Sequence, residues 1–149
     1  MIELNYSITS ASALTADGAI IAFAVFNLRN ERVYRIARAI RAEQILPSGA
    51  VTPEAAELYA AAEALSYFSH FIRHRYYDEH FATILDEDYV LLRTRTPLPM
   101  PDTFPAGSAL RSLADRLTEY RERETVSFTT AEKNDSDMVY TVSLLKEKQ

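Results

Sequence analysis

The chain has 149 residues, 48% apolar and 25% charged, with 16 basic against 21 acidic side chains and a formal charge of −5. That is enough for one domain with a buried core and too little for two, so a single domain over 1–149 is expected. The acidic balance argues against strong nonspecific DNA binding, which needs a basic footprint, and the absence of cysteine excludes disulfides, thiolate metal sites and cysteine nucleophiles.

The first residues, "MIELNYSITS", lack the basic start and long apolar stretch of a signal peptide. No apolar run is long enough to cross a membrane, so a cytoplasmic protein is the expectation. "IELNYSITSAS" (2–12) has strand composition, and "ALTADG" turns the chain at Gly18. "AIIAFAVFNL" is a second, buried strand. "VYRIARAIRAE" carries Arg35, Arg38 and Arg41, which with Arg29 and Arg32 before it recur at a spacing of three that also suits a helix. Its β-branched and aromatic residues, and the need of strand two for a partner, favour a strand. In a strand, Arg35 and Arg41 fall on one face and Arg32 and Arg38 on the other.

A helix is predicted over 53–72, with Thr52 as N-cap and Pro53 at the first position. Its apolar stripe is Ala60, Ala61, Ala64, Leu65 and Phe68, and Glu57 stands at the head of that stripe. The end of this region, "HFIRHRYYDEH" (70–80), is basic and aromatic. Arg73 and Arg75 there, with Arg35 and Arg38, are the candidate nucleic-acid contacts. His70 and His74 sit one helical turn apart but lack the H-E-x-x-H pattern of zinc helices. "FATILDEDYVLL" (81–92) reads as strand four. The stretch 94–108, with Pro97, Pro99, Pro101 and Pro105, is expected to be extended. "SALRSLADRLTEYRER" (108–123) is an amphipathic helix capped by Ser108, with Leu110, Leu113 and Leu117 inward. "TVSFTTA" is strand five, and "MVYTVSLLKEK" is either a helix or a strand.

Three strands in a meander, a crossover helix and a parallel fourth strand give a five-stranded mixed α/β sheet ordered 3-2-1-4-5. Ligand sites in such sheets lie at the carboxyl ends of the strands beside the switch point, here between strands 1 and 4.

This order of elements resembles the ribonuclease H family. "AELYAAAEAL" (56–65) is similar to its glutamate-bearing helix, with Glu57 in the motif position. "LDEDYV" (85–90) resembles its fourth-strand end, with Asp86 in the metal-binding place. Asp137 best matches its last carboxylate, with Asp135 a close competitor. The resemblance implies Mg²⁺ or Mn²⁺ held as a pair by carboxylates and an RNA–DNA hybrid as substrate. Hard cations of that kind require oxygen ligands. The family's first-strand Asp is missing: "ITSAS" (8–12) puts Ser10 there, and Asp17 falls in the hairpin turn. A neutral hydroxyl cannot bridge two cations. The implied reading is a ribonuclease H-like pseudoenzyme with a degenerate site that binds RNA or hybrid without efficient cleavage. The alternatives are an active ribonuclease H recruiting Asp17, Asp88 or Asp135, and an adaptor module binding a protein partner. Without metal, two carboxylates about 5 Å apart repel by roughly 3 kcal/mol at an effective dielectric near 20. The remaining acids therefore need a cation, a proton or separation.

Overall fold

A computed structural model describes residues 5–27, 29, 31–46, 51–68, 89–122 and 126–148. Strands β1 (Asn5–Thr15), β2 (Gly18–Phe26) and β3 (Arg32–Arg41) form an antiparallel meander. A single turn, α1 (Ala42–Ile45), precedes helix α2 (Pro53–Tyr67). Strand β4 (Tyr89–Thr94) then lies parallel to β1. Helix α3 (Ala109–Glu122), strand β5 (Val126–Thr130), parallel to β4, and helix α4 (Ser136–Lys146) complete the chain. The five-stranded sheet has the expected order β3-β2-β1-β4-β5.

β2 is buried at every position because helices cover both faces of the sheet. Ile21, Phe23 and Val25 join the cluster under α2 and α3, whereas Ile20 and Ala22 join a smaller one with Met138, Leu144 and Leu145 of α4. The period-two alternation of a strand thus feeds two cores, and the sequence shows it as an unbroken apolar run. On α2, Ala55, Ala56, Ala60, Ala61 and Ala64 are all buried. Their small side chains bring the helix backbone close to β1 and β2. Phe23 packs on Tyr67 (5.4 Å) and Tyr6 on Phe68 (5.1 Å), which fixes the far end of α2.

Local chemistry explains the boundaries. Thr52 accepts from the Ala55 amide and caps α2, and Ser108 accepts from the Arg111 amide to start α3. Asp135 caps α4 through the amides of Asp137 and Met138, so the ambiguous last segment is a helix. β3 is a strand despite its helical arginine spacing, because every residue from Tyr34 to Arg41 pairs with β2. β1 runs to Thr15 and turns in two residues. Gly18 lies so close to the end of β3 that a Cβ there would come within 2.1 Å of the Ile40 carbonyl oxygen.

Two expectations change. β4 continues to Thr94, beyond the expected end at residue 92, so its carboxyl end carries Arg93, Thr94 and then Arg95, while 81–88 lie outside the described residues. The proline stretch is not extended throughout, since Pro101–Thr103 form one 3-10 turn. No described helix is long and apolar enough to cross a membrane.

Candidate functional site

The parallel pairing of β1 with β4 sets where the site lies. Thr9 stands opposite Arg93, so the carboxyl ends of both strands emerge together. α2 follows β3 and α4 follows β5, so both helices begin at this same edge of the sheet. Each directs the positive end of its dipole there.

Ser10 and Ser12 pair with Phe23 and Ile21, residues of the core under α2, and therefore face α2 themselves. Both are buried. Glu57 meets them from the helix and is only 5% exposed, an unusual degree of burial for a carboxylate. Its Oε2 accepts a 2.5 Å hydrogen bond from the Ser12 hydroxyl. Its Oε1 accepts from Nε of Arg95 at 3.3 Å, and Nη2 of the same guanidinium donates to the Ser12 carbonyl oxygen. Three groups from β1, α2 and the end of β4 thus close a small ring in which the buried charge is matched.

A second cluster sits across the sheet. Arg93 donates from Nη1 to Asp137 at 3.1 Å and from Nη2 to Asp135. Burial pushes the Asp137 carboxyl above its usual pKa, and the Asp135 charge adds to the rise although Arg93 opposes it. Burial also works against the Asp135 charge. The Met138 amide, Arg93 and the Asp137 amide outweigh it, and the net pKa is below the ordinary value.

Of the sequence candidates, the structure joins Glu57 to β1 and places Asp135 and Asp137 at the same sheet edge, each set beside its own arginine. The partner in β1 is Ser12, with Ser10 buried on the same face. Asp17 stays in the exposed hairpin turn, where its carbonyl oxygen accepts from the Ala42 amide. Asp86, Asp88, Arg73, Arg75 and the three histidines lie outside the described residues. A guanidinium lies against each set of acids: Arg95 against Glu57, and Arg93 against Asp135 and Asp137. Arg93 and Arg95 belong to no acidic motif and so do not stand out in the sequence as partners of a carboxylate site. Their signal was the alternation Arg93, Thr94, Arg95, Thr96 directly after an apolar strand.

The arginines of β3 do not form one patch. Arg38 pairs with Glu63 of α2 at 3.1 Å. Arg35 donates to the Tyr140 hydroxyl at 3.2 Å on the α4 side. Arg32, expected beside Arg38, instead lies over the Tyr140 ring at 4.4 Å, because the register shifts between Val25 and Phe26.

Among the described residues, the groups around Glu57 are two serine hydroxyls of β1 and one guanidinium. Both carboxylate oxygens are engaged by Ser12 and Arg95, and the β1 groups are hydroxyls. Among the described residues, no three acidic or histidine side chains gather to hold a metal.

No family model and no curated protein matches the chain. Solved structures do. Ribonuclease H1 of the halophilic archaeon Halobacterium salinarum is 17% identical, with 96% of each chain covered and a TM-score of 0.62. LC11 ribonuclease H1, solved in complex with an RNA/DNA hybrid, is 13% identical over 96% of this chain and 95% of its own, with a TM-score of 0.63. The N-terminal ribonuclease H domain of a Mycobacterium tuberculosis protein is 12% identical over 97% and 98%, at 0.61. Sheet order and these superpositions agree: the chain has the ribonuclease H fold.

Proposed function

We propose that this chain is a ribonuclease H-like domain that binds RNA or an RNA–DNA hybrid at the carboxyl edge of β1 and β4 and does not cleave it efficiently. The observation that carries this reading is the Arg95 guanidinium on Glu57. A carboxylate already neutralised by a fixed cation, beside hydroxyls in place of a second acid, is poorly suited to gather two metals. Phosphoryl chemistry of the two-metal kind needs both the attacking and the leaving oxygen stabilised. Glu57, Asp86 and Asp137 are in this reading what remains of a catalytic carboxylate set, and Mg²⁺ or Mn²⁺ is bound weakly if at all. The solved neighbour in complex with an RNA/DNA hybrid supports the substrate class by fold analogy.

The direct test is hybrid cleavage in Mg²⁺ or Mn²⁺ beside an affinity measurement on the same duplex. Binding with turnover at background level is expected. Robust turnover that Glu57→Gln abolishes would refute the inactive reading and favour an active ribonuclease H with a variant carboxylate set. Absence of binding even at low salt would favour an adaptor that contacts protein partners instead.

A further inference from the structure

Arg95 is only partly spent on the protein. Nε serves Glu57 and Nη2 serves the Ser12 carbonyl, while Nη1 has no hydrogen-bond partner among the described residues. The side chain is 38% exposed, whereas the carboxylate that anchors it is 6% exposed. The guanidinium is therefore held through Nε and Nη2, on a side chain that remains partly exposed. A planar fork fixed in this way is preorganised, since Arg loses its freedom on folding and not on meeting a ligand. The amino-terminal ends of α2 and α4 lie at the same edge of the sheet and add positive potential.

We propose that Arg95 is a resident cation standing where the fold would otherwise place a divalent metal, and that its Nη1 edge receives a backbone phosphate. Nucleic acid is then held by a guanidinium–phosphate contact that requires no metal. Glu57 acts as a positioning residue: it never touches the ligand, and it orients the fork through Nε while leaving Nη1 unengaged. Charge is also accounted for. One carboxylate cancels one guanidinium, so the phosphate binds through directed hydrogen bonds and the helix ends more than through net charge. This inference rests on the nucleic-acid reading above and specifies how that site would work.

The test measures fluorescence anisotropy of a labelled RNA–DNA hybrid in EDTA and in Mg²⁺. Wild-type affinity is expected to be the same in both buffers. Arg95→Ala should weaken it about tenfold or more, the effect of losing a hydrogen bond to a charged group, and Arg95→Lys should restore part of it. Because Arg95→Ala strands a buried carboxylate, the comparison is repeated between Glu57→Gln and Glu57→Gln/Arg95→Ala. Neither of these leaves that acid unpaired, and the same drop is expected. Affinity unchanged without Arg95 in both backgrounds, or wild-type binding that appears only with Mg²⁺, overturns the inference while the nucleic-acid reading stands. A wild type that binds hybrid in neither buffer removes that reading itself.

Discussion

Removing Arg93 tests whether the cluster on the α4 side of the sheet holds the fold together. Its guanidinium spans Asp135 and Asp137, and the three side chains are 18%, 26% and 12% exposed, so solvent screens the pairs only weakly. Breaking a fully buried pair by deleting one partner costs about 3–5 kcal/mol, mostly from the charge left behind. With this partial exposure, Arg93→Ala is expected to cost about 2–4 kcal/mol. At about 2–4 °C per kcal/mol for a chain of this size, Tm should fall by roughly 4–16 °C. Thermal unfolding followed by circular dichroism gives the number. In an Asp137→Asn background the same substitution strands one charge fewer, and its cost should fall by about half, as contacting residues are not additive. A loss below about 0.5 kcal/mol, or an equal loss in both backgrounds, would refute the argument that stranded charge is the origin.

The two aspartates should respond to pH in opposite senses. Asp137 has a raised folded pKa, so its charge is a burden at neutral pH that lifts as pH falls through that pKa. Asp137→Asn should therefore be neutral or slightly stabilising in urea melts at pH 7, with the gain vanishing in acid. Asp135 has a lowered folded pKa and contributes stability above the ordinary carboxylate range, lost as pH falls through the lowered value. Asp135→Ala, which also removes the cap of α4, should cost about 0.5–2 kcal/mol at pH 7 and less in acid. Gly18→Ala should destabilise by about 1–3 kcal/mol, because all three close neighbours, the Ile40 carbonyl oxygen, the Ala42 amide and the Arg41 carbonyl carbon, are backbone; a urea midpoint within error of wild type would contradict this. Phe23→Ala, which empties a fully buried ring site against Tyr34 and Tyr67, should cost about 3–5 kcal/mol and is checked by the same melts.

The sheet was legible wherever pattern and local chemistry agreed. The apolar run of β2, the Thr52 cap and the alanine stripe of α2 each name their own environment, and the order of elements then leaves few topologies. Glu57 was legible for the same reason, as an acid on a face otherwise lined by alanine. β4 was harder. "FATILDEDYVLL" contains two apolar runs separated by acids, and strand propensity does not say which of them pairs with β1. The acids stand inside this segment, whereas Arg93 and Arg95 follow its apolar end and match no acidic motif. The pairing of Glu57 with Arg95 joins residues 38 positions apart, and no local periodicity encodes such a contact. Ser12, two residues beyond Ser10 on the same face of β1, is the hydroxyl that meets Glu57, and strand composition alone does not distinguish the two. A longer strand carries its face further toward the edge.

β1 sits in the middle of the sheet, but its two neighbours come from distant parts of the chain. β2 follows it at once, whereas β4 begins at Tyr89. During synthesis the meander and α2 therefore emerge while one side of β1 still presents unpaired amides and carbonyls. An isolated fragment ending before residue 89 would carry that raw central edge permanently, and such an edge is a template for strand addition between molecules. Self-association of truncated or stalled chains is the cost of threading the central strand first.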